Sequence, residues 1–465
     1  MDLKTIHSVY FVGIGGIGMS ALAQWFHEAG FNVAGYDKTP SEITEGLQAM
    51  GIDISFSDQI DAIPEIYKSN VEKTLVVYTP AIPSTHSGLA YFFTNKYQVV
   101  KRSQALGILV KDKNSIAVAG THGKTSVSST LAYILSCTKL SCSAFLGGVV
   151  KKLKGNVLID PESELVVVEA DEFDRSFLTL YPQIAIITAI DADHLDIYEN
   201  KAQIIEAFEQ FVAQVKPGGK VIIKKGVEFN REANNKVSYY TYSITEKADF
   251  YTTNIYLDNG EYTFNIVTPI GTIEGLRLGV PGLYNLENAI AALAAAILSG
   301  ADTKELTIAL HSYNGVKRRF DIQLVSEKVI FIDDYAHHPA EIEACIKSVR
   351  HIYPDKKITG IFQPHLFTRT RDFAGDFAES LDMLDELVLM PIYPARELPI
   401  KGVSSQIIFD RMHLKNKQLC EYKDVNKQVQ ESDSEIFLTM GAGDIDRLVT
   451  PIKETLIKKF EITNE

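Results

Sequence analysis

The feature that most constrains this chain is the glycine-rich stretch at residues 119–126, which reads Ala-Gly-Thr-His-Gly-Lys-Thr-Ser. Residues 115–118 before it predict a buried strand, and residues 127–136 after it predict a helix. This order is typical of nucleoside triphosphate sites, because N–H groups of a glycine loop can approach phosphate oxygens closely. We expect Lys124 to reach the outer phosphates and the Thr125 hydroxyl to bind Mg²⁺. The loop is shorter than the general phosphate-loop pattern, and a glycine turn that binds no phosphate is the alternative.

The length of 465 residues favours about three domains, because one hydrophobic core rarely organises so long a chain. Predicted strands alternate with predicted helices throughout, which indicates an α/β fold with parallel sheets. We predict a Rossmann-like domain over residues 1–107, a central P-loop ATPase-type domain over 108–320 and a second Rossmann-like domain over 321–465. The alternating Tyr, Thr and Val pattern of residues 237–278 predicts a small antiparallel section in the central domain.

The composition excludes several classes of function. The net charge of −13, without long basic runs, argues against non-specific nucleic-acid binding. The four cysteines show no C-x-x-C spacing, which favours free thiols in a reducing cytosol. The polar residues 1–7 do not resemble a signal peptide, and the longest apolar stretch, residues 289–298, is too short to span a bilayer. We therefore expect a cytoplasmic protein that neither enters a membrane nor binds nucleic acid.

A second glycine loop follows the predicted strand at residues 8–12 and opens the predicted helix at 19–29. The next predicted strand, 32–36, ends at Asp37, so the G-x-G-x-x-G motif of residues 13–18 lies in a βαβ unit with an acid at its far end. This motif predicts a pyrophosphate at the helix start and a ribose or base contact from Asp37. It does not distinguish NAD, FAD and UDP-sugars, and a turn needed only for packing is the structural alternative. The predicted binding residues are Gly13, Gly15, Gly16, Ile17, Gly18 and Asp37.

Acidic residues follow two further predicted strands of the central domain. Glu169 ends the apolar run 165–168, where acids that organise Mg²⁺ commonly lie, whereas Asp171 and Glu172 are equally compatible with a solvated turn. The run 184–188 leads to a second acidic cluster that contains His194. Because Mg²⁺ prefers oxygen ligands, His194 fits either a metal ligand or a packing role on chemistry alone.

The end of the central domain and the start of the third carry further polar clusters. Asn285 and Asn288 share one face of a predicted helix start, and Asn285 alone fits a helix cap equally well. Three consecutive cations at residues 317–319 fit either a solvated loop or a phosphate contact. The predicted strand 329–332 ends in Asp-Asp-Tyr-Ala-His-His-Pro. This stretch carries more acidic, histidine and tyrosine side chains than a purely structural turn needs.

Together these motifs resemble the Mur ligase family, and in particular its alanine-adding branch, over the whole chain. The resemblance rests on the stretches GIGGIGMS at 13–20, GTHGKTS at 120–126, EADEFD at 169–174, DHL at 193–195 and DDYAHHP with QPHLFTRTRD in the third domain. The shortened phosphate loop fits this family's pattern. The resemblance implies a ligase that uses ATP and Mg²⁺ to join L-alanine to the carboxylate of UDP-N-acetylmuramate through an acyl phosphate, in peptidoglycan synthesis. It implies a UDP-sugar, not NAD, at the first glycine loop, and domain closure during the reaction.

The resemblance also implies roles for individual residues. Thr125, Glu169 and His194 would bind metal, and Tyr335, His337 and Arg369 would lie on the amino-acid and phosphate side. The implied catalytic residues are Lys124, Glu169, His194, Arg319 and Asp334. The implied ATP-binding residues are Gly120, Thr121, His122, Gly123, Lys124, Thr125, Ser126, Asn285, Asn288, Arg319 and Asp334.

One position departs from the family pattern, and three alternative functions stay open. Leu366 stands where many relatives have an arginine after the QPH motif, and Arg371 is a possible replacement.

The alternatives are a recycling ligase that joins a tripeptide to the same sugar nucleotide, an NAD-dependent oxidoreductase, and a P-loop binding protein. His337 and His338 are both open as the base for the amine, and the oligomeric state is either monomer or homodimer.

Overall fold

In a computed structural model, the described part of the chain (residues 3–83, 85–191, 198, 200–258, 260–395 and 397–462) forms three β-sheets with flanking helices. The predicted class, a three-domain α/β protein, is confirmed. Each sheet is parallel or mostly parallel, so the loops at the carboxyl ends of its strands meet at one edge. That edge is where the sequence predicted chemistry in all three domains.

The first sheet is parallel, with strand order β3-β2-β1-β4-β5. Its strand β1 is buried at every position and lies in the middle, so the loop after it leaves the sheet where the strand order reverses. The strands are β1 Ser8–Val12, β2 Asn32–Tyr36, β3 Asp53–Ser55, β4 Thr74–Tyr78 and β5 Gln98–Lys101. The helices are α1 Ile17–Glu28, α2 Glu42–Ala49, α3 Glu65–Lys68, α4 Ser87–Thr94 and α5 Arg102–Val110.

The second sheet has the strand order β15-β14-β13-β12-β11-β10-β6-β9-β7-β8. Strand β6 lies between β10 and β9 and pairs with both in parallel. The strands are β6 Asn114–Ala119, β7 Ser143–Val150, β8 Gly155–Leu158, β9 Leu165–Glu169, β10 Ile184–Ile187, β11 Lys220–Lys224, β12 Ser238–Ser243, β13 Phe250–Asp258, β14 Glu261–Thr268 and β15 Gly271–Leu278. The helices are α6 Lys124–Ser136, α7 Lys201–Ala213, α8 Leu283–Leu298 and α9 Thr303–Ser312.

The prediction of an antiparallel section over residues 237–278 is wrong for its first strands. Strand β12 pairs in parallel with β11, and β13 pairs in parallel with β12. The alternating pattern indicated correctly that these strands are half-buried, but half-burial does not determine strand direction. Strands β14 and β15 are neighbours joined by only two residues, which is the connection of an antiparallel hairpin, so the predicted antiparallel section lies there. A further antiparallel pair lies at the other edge of the sheet, where β7 and β8 form a hairpin.

The third sheet has the order β16-β17-β21-β18-β19-β20, and only its edge pair β16–β17 is antiparallel among the pairs described. Apolar clusters cover both faces, so that Ile330 and Ile332 pack on one side and Phe331 on the other. The strands are β16 Asp321–Val325, β17 Ile330–Asp334, β18 Ile358–Phe362, β19 Glu386–Leu389, β20 Lys417–Leu419 and β21 Ile436–Met440. The helices are α10 Pro339–Ile352, α11 Phe367–Asp372, α12 Ala374–Leu381, α13 Gln406–Phe409, α14 Val425–Glu431 and α15 Val449–Lys459.

Grouped by contacts, the chain forms two compact units. Unit 1 comprises Met1–Asn254, Phe264–Leu276 and Asn288–Tyr313. Unit 2 comprises Ile255–Thr263, Arg277–Glu287 and Asn314–Glu465. The first sheet therefore belongs to the same unit as most of the second, and the predicted domain boundaries near residues 107 and 320 stay predictions.

The length and apolar content of a helix decide whether it could cross a membrane. Among the described residues, no helix is both long enough and apolar enough to cross a bilayer. The helix α8 carries the longest apolar stretch of the sequence, and its segment Ala289–Ala296 is fully buried in the protein. Its alanines allow close packing against neighbouring elements.

The cysteines give a test of this packing. Cys137 is exposed, whereas burial raises the pKa of the Cys142 thiol to about 12 and that of Cys420 to about 11, and raises the pKa of Cys345 well above its ordinary value. Because the thiolate is the reactive form, we predict that Ellman's reagent modifies one thiol per native chain rapidly and all four only in denaturant. Rapid modification of a second thiol in the native protein would contradict the packing.

Candidate functional site

The phosphate loop of residues 120–126 connects β6 to α6 and depends on two glycines. Gly120 has a φ of +142°, and a Cβ there would lie 2.0 Å from Oγ1 of Thr188. Gly123 has a φ of +81°, and a Cβ there would lie 2.9 Å from Oδ1 of Asn288. Thr188 also donates through its hydroxyl to the His122 carbonyl. Only glycine fits this close approach at a positive φ, so the loop conformation is specified by the sequence.

Lys124 begins α6 and forms a buried ion pair. Its Nζ donates to the Gly120 carbonyl at 2.7 Å and lies 2.8 and 2.7 Å from the two carboxylate oxygens of Glu172. The side chains are 13% and 1% exposed, respectively. Burial favours the neutral amine, but the carboxylates of Glu172 and Asp171 outweigh it and raise the pKa of Lys124 above its ordinary value. Lys124 is therefore a cation at the predicted phosphate site, and Glu172 is a buried partner instead of a residue in a solvated turn.

Thr125 and Glu169 meet as the sequence predicted for a Mg²⁺ pair. The Thr125 hydroxyl donates to Oε1 of Glu169 at 3.1 Å. The other oxygen, Oε2, accepts from the Gly147 backbone at 3.1 Å and from the Ser128 hydroxyl at 3.4 Å. A hydroxyl and a carboxylate at the same point are hard oxygen donors of the kind that Mg²⁺ prefers. The residues present therefore fit a Mg²⁺ ion.

The remaining residues of the loop contact the carboxyl end of β10. Thr121 donates through its backbone N–H to the Ala189 carbonyl at 3.0 Å, and its hydroxyl accepts from the Asp191 backbone at 3.1 Å. Nε2 of His122 lies 3.7 Å from the Asp191 carboxylate. His194, the third predicted metal residue, lies outside the described residues. Within the described ranges, no group of three or more His, Cys, Asp and Glu side chains is placed to hold a metal.

The first glycine loop, after β1, is braced by Asp37. Its carboxylate accepts from the Gly15 backbone at 2.7 Å and from the Lys38 backbone at 2.8 Å. Gly13 has a φ of +91° and donates to the Tyr36 carbonyl at 2.8 Å. Asp37 thus shapes the loop itself, and its predicted contact with a ribose stays a prediction. Helix α1 begins at Ile17, and its N-cap residue is Gly16, which has no side chain to accept from the helix start.

Two residues outside the predicted set also contact this loop. A Cβ on Gly18 would lie 2.8 Å from Nη1 of Arg102, so a guanidinium flanks the start of α1. Asn156, on β8, donates to the Ile17 carbonyl from the second sheet. Nη2 of Arg102 lies 3.6 Å from the Asp171 carboxylate, which connects the first glycine loop to the acids after β9. The sequence offered no signal for these long-range contacts.

The two predicted asparagines of α8 are both buried. Asn288 is 9% exposed and faces Gly123 of the phosphate loop within unit 1. Asn285 is 8% exposed, and its Nδ2 donates to the Pro281 carbonyl at 2.7 Å within unit 2. The structure therefore places Asn288 at the phosphate loop, whereas Asn285 stabilises the helix start, and its contact with adenine stays a prediction.

In unit 2, Asp334 ends β17 as a buried acceptor. Its Oδ2 accepts from the Tyr284 hydroxyl at 2.8 Å and from the Phe320 backbone at 2.7 Å, and its Oδ1 accepts from the Ala336 backbone at 2.8 Å. Burial raises the pKa of Asp334, although Arg319 and these donors oppose the shift. The predicted nucleotide contact of Asp334 stays a prediction, and its hydrogen bond from the Phe320 backbone anchors the cation-rich loop 317–320.

The predicted cations flank an aromatic ring. The guanidinium carbons of Arg318 and Arg319 each lie 5.0 Å from the centre of the Tyr335 ring. Arg318 donates to the Gly441 carbonyl at 2.6 Å and lies 3.5 Å from the Asp333 carboxylate, so it ties neighbouring strand ends together. Nη1 of Arg319 lies 4.0 Å from a carboxylate oxygen of Glu341, a residue that the sequence analysis missed.

Glu341 lies in the first turn of α10. Its Oε2 accepts from the backbones of His337 and His338 at 3.0 and 3.3 Å, and it lies 3.1 Å from Nδ1 of His337. His338 caps the helix, because its Nδ1 accepts from the Ala340 backbone at 3.3 Å. The pattern His-Pro-x-Glu at the helix start could have revealed Glu341, because a glutamate at this position commonly completes a capping box.

The loop after β18 carries the departure from the family pattern. Leu366 has a φ of +69°, which is unfavourable for a leucine, and it donates through its backbone to the Tyr393 carbonyl at 3.0 Å. His365 stacks on the Tyr393 ring at 5.9 Å, and Arg369 is 7% exposed in α11. Arg371 pairs with the adjacent Asp372 at 2.7 and 3.0 Å on the surface, and its service as a replacement for the missing arginine stays a prediction.

Comparisons with known proteins cover the whole chain. Three family descriptions match: "Mur ligase family, catalytic domain" over residues 8–114, "Mur ligase middle domain" over 118–296 and "Mur ligase, glutamate ligase domain" over 318–443. The chain is 49% identical to the UDP-N-acetylmuramate–L-alanine ligase of Parabacteroides distasonis, over 99% of each protein. It is 47% identical to the ligase of the same name from Phocaeicola vulgatus, over 99% of this chain and 100% of that protein.

Solved structures agree with these matches. The crystal structure of UDP-N-acetylmuramate-alanine ligase from Thermotoga maritima has a TM-score of 0.80 and 27% identity, covering 98% of this chain and 99% of that one. A murein peptide ligase from Psychrobacter arcticus has a TM-score of 0.68 and 21% identity, covering 99% of this chain and 100% of that one. At that identity the second structure shows a common fold alone.

The close packing around Glu169 gives a test of the phosphate site. A Cβ on Gly147 would lie 2.2 Å from Oε1 of Glu169, so Gly147→Ala must displace the carboxylate. We predict that this variant weakens the binding of Mg²⁺-nucleotide about tenfold or more, measured by calorimetry, because groups that orient a metal ligand commonly contribute about 10–100-fold to metal affinity. Gly155→Ala in the same hairpin is the matched control, since its nearest contact is 3.8 Å. Equal binding by the two variants would contradict the site.

Proposed function

This chain belongs to the Mur ligase family, and from that premise we propose that it joins L-alanine to the carboxylate of UDP-N-acetylmuramate at the expense of ATP. The observation that carries the proposal is the 49% identity to a ligase of this name along 99% of both chains. The reaction forms an amide bond in peptidoglycan synthesis and releases ADP and phosphate. The use of ATP implies a cytoplasmic location.

The chemistry requires activation of a poor electrophile. A carboxylate resists attack by an amine, so the γ-phosphoryl group of ATP is transferred to it to give an acyl phosphate, whose phosphate is a good leaving group. Carboxylate and triphosphate are both anions, and their approach needs fixed positive charge. We assign this role to Lys124, which Glu172 and the Gly120 carbonyl position, and we propose Arg319 as a further source of positive charge.

We assign the Mg²⁺ ligands in the described structure to the Thr125 hydroxyl and the Glu169 carboxylate. When bound, the ion would neutralise charge on the phosphate oxygens. The Gly147 backbone and the Ser128 hydroxyl orient the carboxylate from its other oxygen. His194 stays a predicted ligand of a second ion.

We assign the substrates to the two glycine loops and to unit 2. The first loop, braced by Asp37 and flanked by Arg102, would hold the pyrophosphate of the sugar nucleotide. The second loop would hold ATP, with Asn288 beside it. The cluster of Tyr335, His337 and Arg369 in unit 2 would face L-alanine, and Asn285 and Asp334 would reach the nucleotide.

One assay distinguishes this proposal from its alternatives. We expect ADP release only when UDP-N-acetylmuramate and L-alanine are both present, with L-serine, glycine and the cell-wall tripeptide compared in parallel. A preference for the tripeptide would indicate the recycling ligase. Release without the sugar nucleotide would indicate a P-loop ATPase of another kind. Turnover of NAD without ATP would indicate the oxidoreductase that the first glycine loop left open.

Removal of the lysine tests the phosphate assignment. We predict that Lys124→Ala abolishes ADP release but leaves sugar-nucleotide binding intact, because the two ligands bind different loops. Since this change leaves Glu172 buried without its ammonium partner, at a cost of about 3–5 kcal/mol, Lys124→Met with Glu172→Gln is the control for folding. ADP release near the wild-type rate in either variant would refute the assignment of Lys124.

Neutralising the carboxylate tests the metal assignment. We predict that Glu169→Gln shifts the Mg²⁺ titration of ADP release to much higher concentrations, because an amide is a weaker ligand than a carboxylate. Glu164→Gln is the control, since Glu164 lies before the same strand and pairs with Lys113 at the surface. An unchanged titration curve in the Glu169 variant would place the ion elsewhere.

A further inference from the structure

The imidazole of His337 is held at one nitrogen by two acceptors. Nδ1 lies 3.1 Å from the Tyr335 carbonyl and 3.1 Å from Oε2 of Glu341. A carbonyl oxygen and a carboxylate oxygen can only accept, so Nδ1 must carry the hydrogen. In the neutral ring, Nε2 then holds the lone pair. The surroundings therefore select one tautomer of His337 and leave Nε2 as the nitrogen that accepts.

The other histidine of the motif is used differently. Nδ1 of His338 accepts from the Ala340 backbone at 3.3 Å, and the side chain is buried at the start of α10. His338 therefore serves the helix. The side chain of His337 is 18% exposed, so of the two adjacent histidines it is the one that a ligand can approach.

We propose that Nε2 of His337 is the base that accepts a proton from the ammonium group of L-alanine, and that Glu341 is the positioning residue that fixes the ring for this step. The inference rests on the proposed function and on its assignment of L-alanine to the side of His337, because the amine must lose a proton there before it can attack. The ammonium N–H bond breaks and an Nε2–H bond forms. The freed lone pair forms the C–N bond to the acyl carbon, and the C–O bond to phosphate breaks. The leaving phosphate takes the second proton from nitrogen, and the imidazolium returns its proton to solvent.

The groups around His337 suit this role. Its ring lies 5.3 Å from that of Tyr335 and 5.8 Å from that of His365, both at steep angles, which limits rotation. Glu341, in the first turn of α10, is the charged partner of the His337 ring, and it also lies 4.0 Å from Nη1 of Arg319. A carboxylate that holds a histidine in one tautomer and one orientation is the arrangement found in the Ser-His-Asp triad.

The first test compares two nucleophiles in His337→Gln. Hydroxylamine is uncharged at neutral pH and traps acyl phosphates, so it needs no base. We expect ligation of L-alanine to fall about 10²-fold or more, the usual contribution of a positioned base, while hydroxamate formation stays within a few-fold of wild type. A parallel fall with both nucleophiles would indicate a structural role and overturn the proposal, as would no fall with either.

The second test separates a base from a residue that binds the alanine carboxylate. As pH rises, L-alanine loses its proton in solution, so the deficit of His337→Gln relative to wild type should shrink steadily. A deficit that is constant with pH would mean that His337 binds the carboxylate, and the proposal would be wrong. A wild-type protein that does not release ADP with both substrates would instead contradict the proposed function itself.

The third test addresses Glu341. Glu341→Gln retains an acceptor for the helix start but loses the charge beside Nδ1, so the ratio of alanine to hydroxylamine rates should fall roughly tenfold or more. Glu343→Gln is the matched control, because Glu343 lies on the same helix and pairs with Lys347 at the surface. Equal ratios in the two variants would overturn the role of Glu341.

Discussion

The buried ion pair between Lys124 and Glu172 is the interaction on which the phosphate site depends. Burying either charge alone would be costly, and the pair is tolerated because each side chain satisfies the other and the Gly120 carbonyl takes a further hydrogen bond. The pair therefore contributes less to stability than to position. It holds the Lys124 ammonium beside the glycine loop of residues 120–126. Glu172 also lies three residues after Glu169, whose carboxylate accepts from the Thr125 hydroxyl. The end of β9 thus orients both the cation and the oxygens that we propose as Mg²⁺ ligands.

Parallel strand order explains why such side chains meet at all. Strand β6 lies between β9 and β10, so the loop after it shares an edge with the acids after β9 and with Thr188 after β10. The same rule acts in unit 2, where Asp334 after β17 and Gly441 after β21 lie at one edge and are joined through the cation-rich loop. In both units, buried backbone contacts hold charged groups that would otherwise move freely in solvent.

In unit 2, the carboxylates of Asp334 and Glu341 each hold a different part of the polar cluster in place. Asp334 is fully engaged by Tyr284 and by two backbone N–H groups, and so it anchors the loop. Glu341 does the corresponding work for the histidines, since one oxygen serves the helix start and the His337 ring together. A residue that caps a helix and orients a reactive side chain couples local stability to chemistry, which explains why a helix-start motif lies inside the richest cluster of the sequence.

The sequence by itself determined the α/β class, both glycine loops with Lys124 and Thr125, and the polar clusters at strand ends, Glu169 among them. These features are local, because a glycine turn or a buried strand is specified by a few adjacent residues. The contact between Thr125 and Glu169 depends instead on the pairing of β6 with β9. Strand direction over residues 237–278, the burial of Glu172, the bracing of Asp37 against Gly15, and the contacts of Arg102 and Asn156 were decided only by the tertiary structure. Each depends on which distant segment packs alongside, and half-burial or an acidic residue type is compatible with several such neighbours. The tautomer of His337 belongs to the same class, since only the folded chain brings a carbonyl and a carboxylate to the same nitrogen.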